Sequence, residues 1–409
     1  MPRILLMIGL VLLSINPTWT QGEANKNLLL AAAMCLSPMV LLIKNTRVLM
    51  PRIDLPLAGV AIMVMAMPVL FHPESVRWIT MLFTGAWCVF FMMLARLTLI
   101  SGLRSDEFQK MIRWIVYAYC LVLVVQQICL LTGMPILLNE GAHYVRHPWK
   151  LNSLSEEPSH ATLILSVLMY YYTSTRRAED CHERLWQTIK ETPWLWVAFG
   201  WGIFSTVNAS AYIFGPLCLL PYITRRNVKM IAAITIGIVV LMMATPVGNI
   251  GQIGRVKRLA VAMITMDEER IIGGDISAAG RIVPSIRGAK SIDPSDPDTY
   301  VGHGTDADTR DMGPRPGYPT DKGSAGIFSI WYNYGAICAL LFWVVIVQIT
   351  ARREEWSSIV MMLLAIQLSS DYNMQLLWVV LGYAMVQKQI LGGTTLLTRW
   401  DCQKNFVSL

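Results

Sequence analysis

Residues 78–100 read WITMLFTGAWCVFFMMLARLTLI, a stretch in which Arg96 is the one charged residue. The hydrocarbon core of a bilayer is ~30 Å thick and takes about 20 apolar residues of helix to cross. The apolar residues here run without alternation, which fits a helix better than a barrel strand. A helix also satisfies every backbone N–H and C=O internally, where lipid offers no partner. Further apolar runs lie at 4–15, 28–43, 55–71, 111–132, 161–173, 194–207, 210–223, 230–245, 325–349, 356–368 and 374–390. Together they predict an all-α fold: a polytopic helix bundle of about 12 transmembrane helices.

Composition agrees. With 54% hydrophobic residues, 15% charged residues and a mean hydropathy of +0.47, the 409-residue chain is too apolar for a soluble protein built round one core. The net charge of +7 does not form one compact basic patch. If the N-terminus is cytoplasmic, the inner connections hold Lys44, Arg47 and Arg52; Arg104, Lys110 and Arg113; Arg176, Arg177, Arg184 and Lys190; Arg225, Arg226 and Lys229; Arg352 and Arg353; then Arg399 and Lys404. The short outer connections hold little beyond Lys26, Arg77, Arg146 and Lys150. This is the positive-inside pattern, so topology accounts for the charge, no nucleic-acid partner is expected, and both termini are predicted to be cytoplasmic. Residues 4–15 follow Arg3 and are short enough for a signal-peptide core. No small-x-small cleavage site follows in 16–20, so they read as a retained first helix. The eight cysteines fall in predicted spans or on the cytoplasmic side and predict no disulfide framework.

Three regions result: 1–245, with spans one to nine and an external segment at 133–160; 246–322, one large external loop; and 323–409, with the last three spans and a cytoplasmic tail. The external segment ends in Leu154-Ser155-Glu156-Glu157-Pro158-Ser159-His160 and runs straight into a span. Proline suits the first helical turn and carboxylates suit the positive helix end, so this is either a cap or a carboxylate fixed at the membrane surface for proton transfer. Within the large loop, 255–272 has the spacing of an interfacial amphipathic helix, followed by Gly273-Gly274 and a stretch holding Arg281, Arg287 and Lys290. Residues 246–292 carry Lys and Arg in excess, and 293–322 carry Asp in excess. Guanidinium groups bind diphosphate bidentately and stay charged, so Arg270, Arg281 and Arg287, with Lys290, are candidate ligands for a lipid diphosphate. The alternative is that the arginines pair with the neighbouring aspartates and serve structure alone. Asp293, Asp296, Asp298, Asp306, Asp308 and Asp311 lack the ordered spacing of a calcium loop, and His143 and His147 lack a third ligand. No metal and no cofactor is expected.

Three local features resemble the O-antigen polymerase and ligase superfamily, bacterial inner-membrane proteins that join lipid-linked sugars. They are Glu157-Pro158-Ser159 entering a span; Asn208-Ala209-Ser210-Ala211-Tyr212 in a tight outer hairpin; and the series Gly280-Arg281, Gly302-His303-Gly304, Gly326-Ile327-Phe328 and Asn333-Tyr334-Gly335. The hairpin has Ala211 where the family often has arginine, and the His-Asn pair usual in ligases is replaced by Lys322-Gly323-Ser324-Ala325. The resemblance therefore implies the polymerase branch. It implies a multi-pass enzyme of the bacterial inner membrane that joins undecaprenyl-diphosphate-linked repeats into an O-antigen, capsule or exopolysaccharide on the outer face. Donor and acceptor are lipid-linked oligosaccharides, and a chain-length regulator is a possible partner. Glu157 is the first candidate for the base and His303 the second, while Arg270, Arg281, Arg287 and Lys290 would hold the diphosphate. The alternatives are a ligase of the same superfamily, or a lipid-linked glycan transporter or flippase. Against the transporter, the spans are poor in ionisable residues and the candidate functional groups collect outside them.

Overall fold

The computed structural model describes residues 1–16, 27–43, 46, 51–138, 149–208, 210–224, 228–229, 233, 268–274, 276–312, 326–352, 355–369 and 372–392. In chain order the helices are α1 (Pro2–Ser14), α2 (Leu28–Leu36), α3 (Asp54–Phe71), α4 (Trp78–Ile100), α5 (Ser105–Thr132), α6 (Pro158–Glu179), α7 (Leu185–Glu191) and α8 (Pro193–Ser205). They continue with α9 (Ser210–Phe214), α10 (Glu268–Gly274), α11 (Ile276–Lys290), α12 (Asp298–Val301), α13 (Ala307–Asp311), α14 (Ser329–Thr350), α15 (Ser357–Leu368) and α16 (Gln375–Ile390). There is no strand among the described residues, as the uninterrupted apolar runs predict.

Four helices, α3, α4, α5 and α14, are long and apolar enough to cross a membrane. Other predicted spans form shorter apolar helices, and the reasons are local. The run at 28–43 tightens into a 3₁₀ turn at Ser37–Leu42, where Pro38 lacks the N–H of a continuing α-helix. The run at 210–223 does the same at Gly215–Tyr222, where Pro216 and Pro221 both interrupt the donor series. The span predicted at 230–245, Ala233 apart, lies outside the described residues, as do His143, His147 and all of the predicted interfacial helix before Glu268.

Contacts divide the chain into two units interleaved in sequence, 1–32, 101–254 and 378–392 in one, and 33–100, 255–377 and 393–409 in the other. The first is built round α6, in which every residue from Ala161 to Thr175 is buried. Such a helix has no lipid-facing side, so it tolerates hydroxyls that bond back to its own turns. Thr162 Oγ1 donates to Pro158 O, Ser166 Oγ to Thr162 O and Thr173 Oγ1 to Met169 O. Gly202 on α8 lets that helix approach so closely that a Cβ there would lie 2.8 Å from Leu165 Cδ1.

In the second unit α3 packs against both α4 and α14. Antiparallel α3 and α4 are pinned at one end by the buried pair Arg96 Nη2–Asp54 Oδ2, 2.5 Å apart. An ionic pair in an apolar bundle is tolerable only because each charge answers the other. At the opposite end, Thr84 Oγ1 and Trp87 Nε1 on α4 donate to Asn373 Oδ1 and Asn373 O. Residues 72–77, 293–312 and 372–373 also gather at that end, as expected if these connections share one side of a membrane.

Candidate functional site

At this end of the second unit, α14 starts as a helix and breaks at Gly335, which has φ +84°. The break leaves the carbonyls of Tyr332 and Asn333 open to partners outside the helix. His303 N donates to Tyr332 O at 2.8 Å and Gly304 N to Asn333 O at 3.2 Å. Two glycines permit the crossing. A Cβ on Gly302 (φ +87°) would stand 2.4 Å from Asn333 O, and one on Gly335 would stand 2.0 Å from Tyr300 O. The spacing in Gly302-His303-Gly304 and Asn333-Tyr334-Gly335 thus has a steric cause: the two segments meet backbone to backbone.

Below the crossing sits a buried polar knot. Asp308, 2% exposed, accepts from Ser329 Oγ at 2.5 Å and from Asn333 Nδ2 at 2.8 Å, while its own N–H donates to Asn333 Oδ1 at 3.0 Å. Asn333 Nδ2 also reaches Tyr372 OH, which donates to Tyr334 OH. A buried carboxylate is expensive unless its lone pairs are met, and this arrangement meets them.

The His303 ring stacks on Tyr332 with centroids 4.0 Å apart and planes 10° from parallel. Its Nδ1 lies 3.2 Å from Tyr332 O, and because a carbonyl only accepts, Nδ1 carries the proton. His303 shares a small cleft with Gly288 and Ser291 at the end of α11, and with Asp298, Trp331 and Tyr332. Asp296, Asp298 and His303 each offer a ligand atom within 4.8 Å of the others. The sequence series of aspartates contains Asp296 and Asp298 but gives no sign that they join His303, because the turn at Gly302 brings them together.

The cations of the predicted diphosphate site lie on α10 and α11. Ile271, Ile272 and Val283 form a small apolar core that holds the two helices together. Arg287 Nε and Lys290 Nζ both donate to Glu268, at 3.1 and 3.0 Å. Partial burial works to raise the Glu268 pKa, but hydrogen bonds from Lys290 and Arg287 outweigh it and hold the carboxyl below its usual range. The partner acid is thus Glu268, upstream of the aspartate series, and not one of the aspartates that the alternative reading named. Arg270 is exposed on the same short helix as Glu268. Arg281 lies within α11, and its side chain falls outside the described residues.

Glu157 belongs to the first unit, at the N-cap of α6. The segment leading to it is held by buried side chains of α5. Tyr119 OH pairs with Ser155 Oγ at 2.9 Å, Gln126 Nε2 donates to Asn152 Oδ1, and Ser153 N donates to Gln126 Oε1. The carboxylate accepts from Ser159 Oγ at 3.1 Å, whereas neighbouring Glu156 accepts from Asn16 Nδ2. A rigid helix start therefore presents Glu157, with both its cap and its proton-transfer reading open. No family model, curated protein or solved structure matches this chain.

Proposed function

We propose that the chain is a polysaccharide polymerase of the O-antigen polymerase and ligase superfamily. On this reading it spans the bacterial inner membrane about 12 times, with both termini cytoplasmic. It joins undecaprenyl-diphosphate-linked repeats on the outer face. The observation that supports it most is the cationic α10–α11 hairpin, packed on the start of membrane-length α14. A charged, non-spanning element at the mouth of a helix bundle suits an anionic lipid headgroup.

The reaction displaces a lipid diphosphate with an acceptor hydroxyl, so negative charge must be stabilised on the leaving group and a proton removed from the acceptor. Arg281, Arg287, Lys290 and Arg270 are assigned to the diphosphate. For Arg287 and Lys290 this requires the diphosphate to displace Glu268, an exchange of one anion for a more highly charged one. Glu157 is assigned the proton. Because His303 donates through Nδ1 and stacks on Tyr332, it serves as a base only through Nε2, and it stands second to Glu157.

A deletion strain complemented with wild type, Arg281→Ala, Arg287→Ala or Glu157→Ala tests each role separately. Single lipid-linked repeats should accumulate on the outer face in the deletion and in each variant, and full polymer should return with wild type. Finished glycan left on its carrier lipid would instead make the protein a ligase. Repeats retained on the cytoplasmic face would make it a transporter.

A further inference from the structure

We propose that Asp296, Asp298 and His303 form a binding site for a divalent transition-metal ion of the zinc class. The sequence spacing predicts no such site, so the inference rests on what the fold gathers. It stands whether or not the chain is a polymerase.

Four observations carry it. The three ligand atoms lie within 4.8 Å of one another. Zinc with bonds of ~2.1 Å to tetrahedral ligands sets them roughly 3.4 Å apart, so a small turn of the aspartate side chains closes the shell. Second, the Nδ1–H of His303 is committed to Tyr332 O, which leaves the Nε2 lone pair for a metal. Metal-binding histidines are commonly oriented this way, by a carbonyl at the other ring nitrogen, and here stacking on Tyr332 also holds the ring plane.

Third, the local charge is unbalanced at these residues. Three nearby acids have cations, Asp306 with Arg77 at 3.2 Å, Asp311 with Arg310 at 2.9 Å, and Glu268 with Arg287 and Lys290, whereas Asp308 is met by Ser329 and Asn333 and Asp293 by Ser295. Among the described residues Asp296 has no ion pair, its Oδ1 accepting only from Asp298 N at 3.0 Å, and the ion-pair partner of Asp298 is the His72 imidazole. Fourth, His72 Nε2 is buried without a hydrogen-bond partner, 3.6 Å from Asp298 Oδ1. That separation is too long for a good hydrogen bond, so His72 leaves Asp298 poorly met.

The donor set selects the ion. Calcium and magnesium prefer oxygen alone, whereas imidazole with carboxylates suits zinc and its first-row neighbours. Three protein ligands leave a position for water or another small oxygen donor. The bound ion would tie residues 296–298 to the turn at His303, next to the crossing with α14.

Full-length protein in detergent micelles, stripped with EDTA, would be titrated calorimetrically with zinc chloride and separately with magnesium chloride. We expect one saturable zinc site per chain and no response to magnesium at the same concentrations. His303→Ala and Asp298→Asn should each weaken zinc binding at least tenfold, whereas Asp306→Asn, already paired with Arg77, should bind as wild type does. Zinc should raise the melting temperature of wild type and Asp306→Asn but not of His303→Ala. Should either ligand variant fail to elute as wild type does, His303→Gln and Asp296→Asn replace them. Absence of saturable binding, or zinc affinity unchanged in the ligand variants, overturns the proposal.

Discussion

Asn333 fastens residues 293–312 to the start of α14. It exchanges two hydrogen bonds with Asp308 and reaches Tyr372 OH. Asn333→Ala strips partners from a buried carboxylate and a buried N–H, and is expected to cost about 3 kcal/mol, read as a lower denaturation midpoint in mixed micelles. Asn333→Asp keeps the shape but sets two carboxylates in contact, so it should cost more; equal midpoints would remove the electrostatic account. At this scale the sequence was partly legible. Gly302-His303-Gly304 and Asn333-Tyr334-Gly335 stand out in it, and they do meet. The acids near His303 were not legible, because Asp296 and Asp298 come within 4.8 Å of it through the turn at Gly302, which no residue spacing announces. The acid that claims Arg287 and Lys290 was equally hidden, since Glu268 precedes them on a different helix.

Helices explain which changes are absorbed and which are not. Gly202 on α8 and Leu165 on α6 occupy one shared volume. Gly202→Ala alone should destabilise by about 1 kcal/mol through overpacking, and Leu165→Ala alone by about 3 kcal/mol through the cavity it leaves. Combined, the added methyl enters space the leucine vacates, so the double variant should be more stable than the sum of the two; strict additivity would show that the helices do not touch there. In α10 and α11 the ion pairs set a pH limit. The Glu268 pKa is lowered in the fold, so its stabilising contribution is complete above the ordinary value of 4.5 and is lost as pH falls through the lowered one. Amide exchange over 268–290, corrected for intrinsic rates, should show protection steady down to about pH 5 and falling below it, and Glu268→Gln should abolish that fall. Hydropathy located these elements unevenly. It marks α3, α4, α5 and α14 because they are long and apolar, and misses the 3₁₀ endings at Ser37–Leu42 and Gly215–Tyr222, which depend on proline interrupting the donor series.

Across the whole molecule, the positive-inside reading assigns a side to every connection. Cys181 is exposed in the turn after α6, on the predicted inner side, and residue 296 lies on the predicted outer side. In intact inner-membrane vesicles of native orientation, a membrane-impermeant maleimide should label Asp296→Cys but reach Cys181 only after permeabilisation. Labelling of Cys181 in sealed vesicles would invert the topology. Among the described helices of 18 residues or more, α6 alone is not apolar enough to count as a span. It is long enough to cross a bilayer at 22 residues, yet it carries Tyr170-Tyr171-Tyr172, several hydroxyls and Arg176-Arg177. Because its neighbours cover every residue from Ala161 to Thr175, lipid is not the solvent that stretch faces. This has a consequence for biogenesis: as α6 leaves the ribosome, α8 and α9 do not yet exist to cover it. A nascent chain ending at residue 184 should hold α6 in the membrane poorly, exposing it to alkaline extraction and quality-control proteolysis, and a chain ending at 224 should retain it.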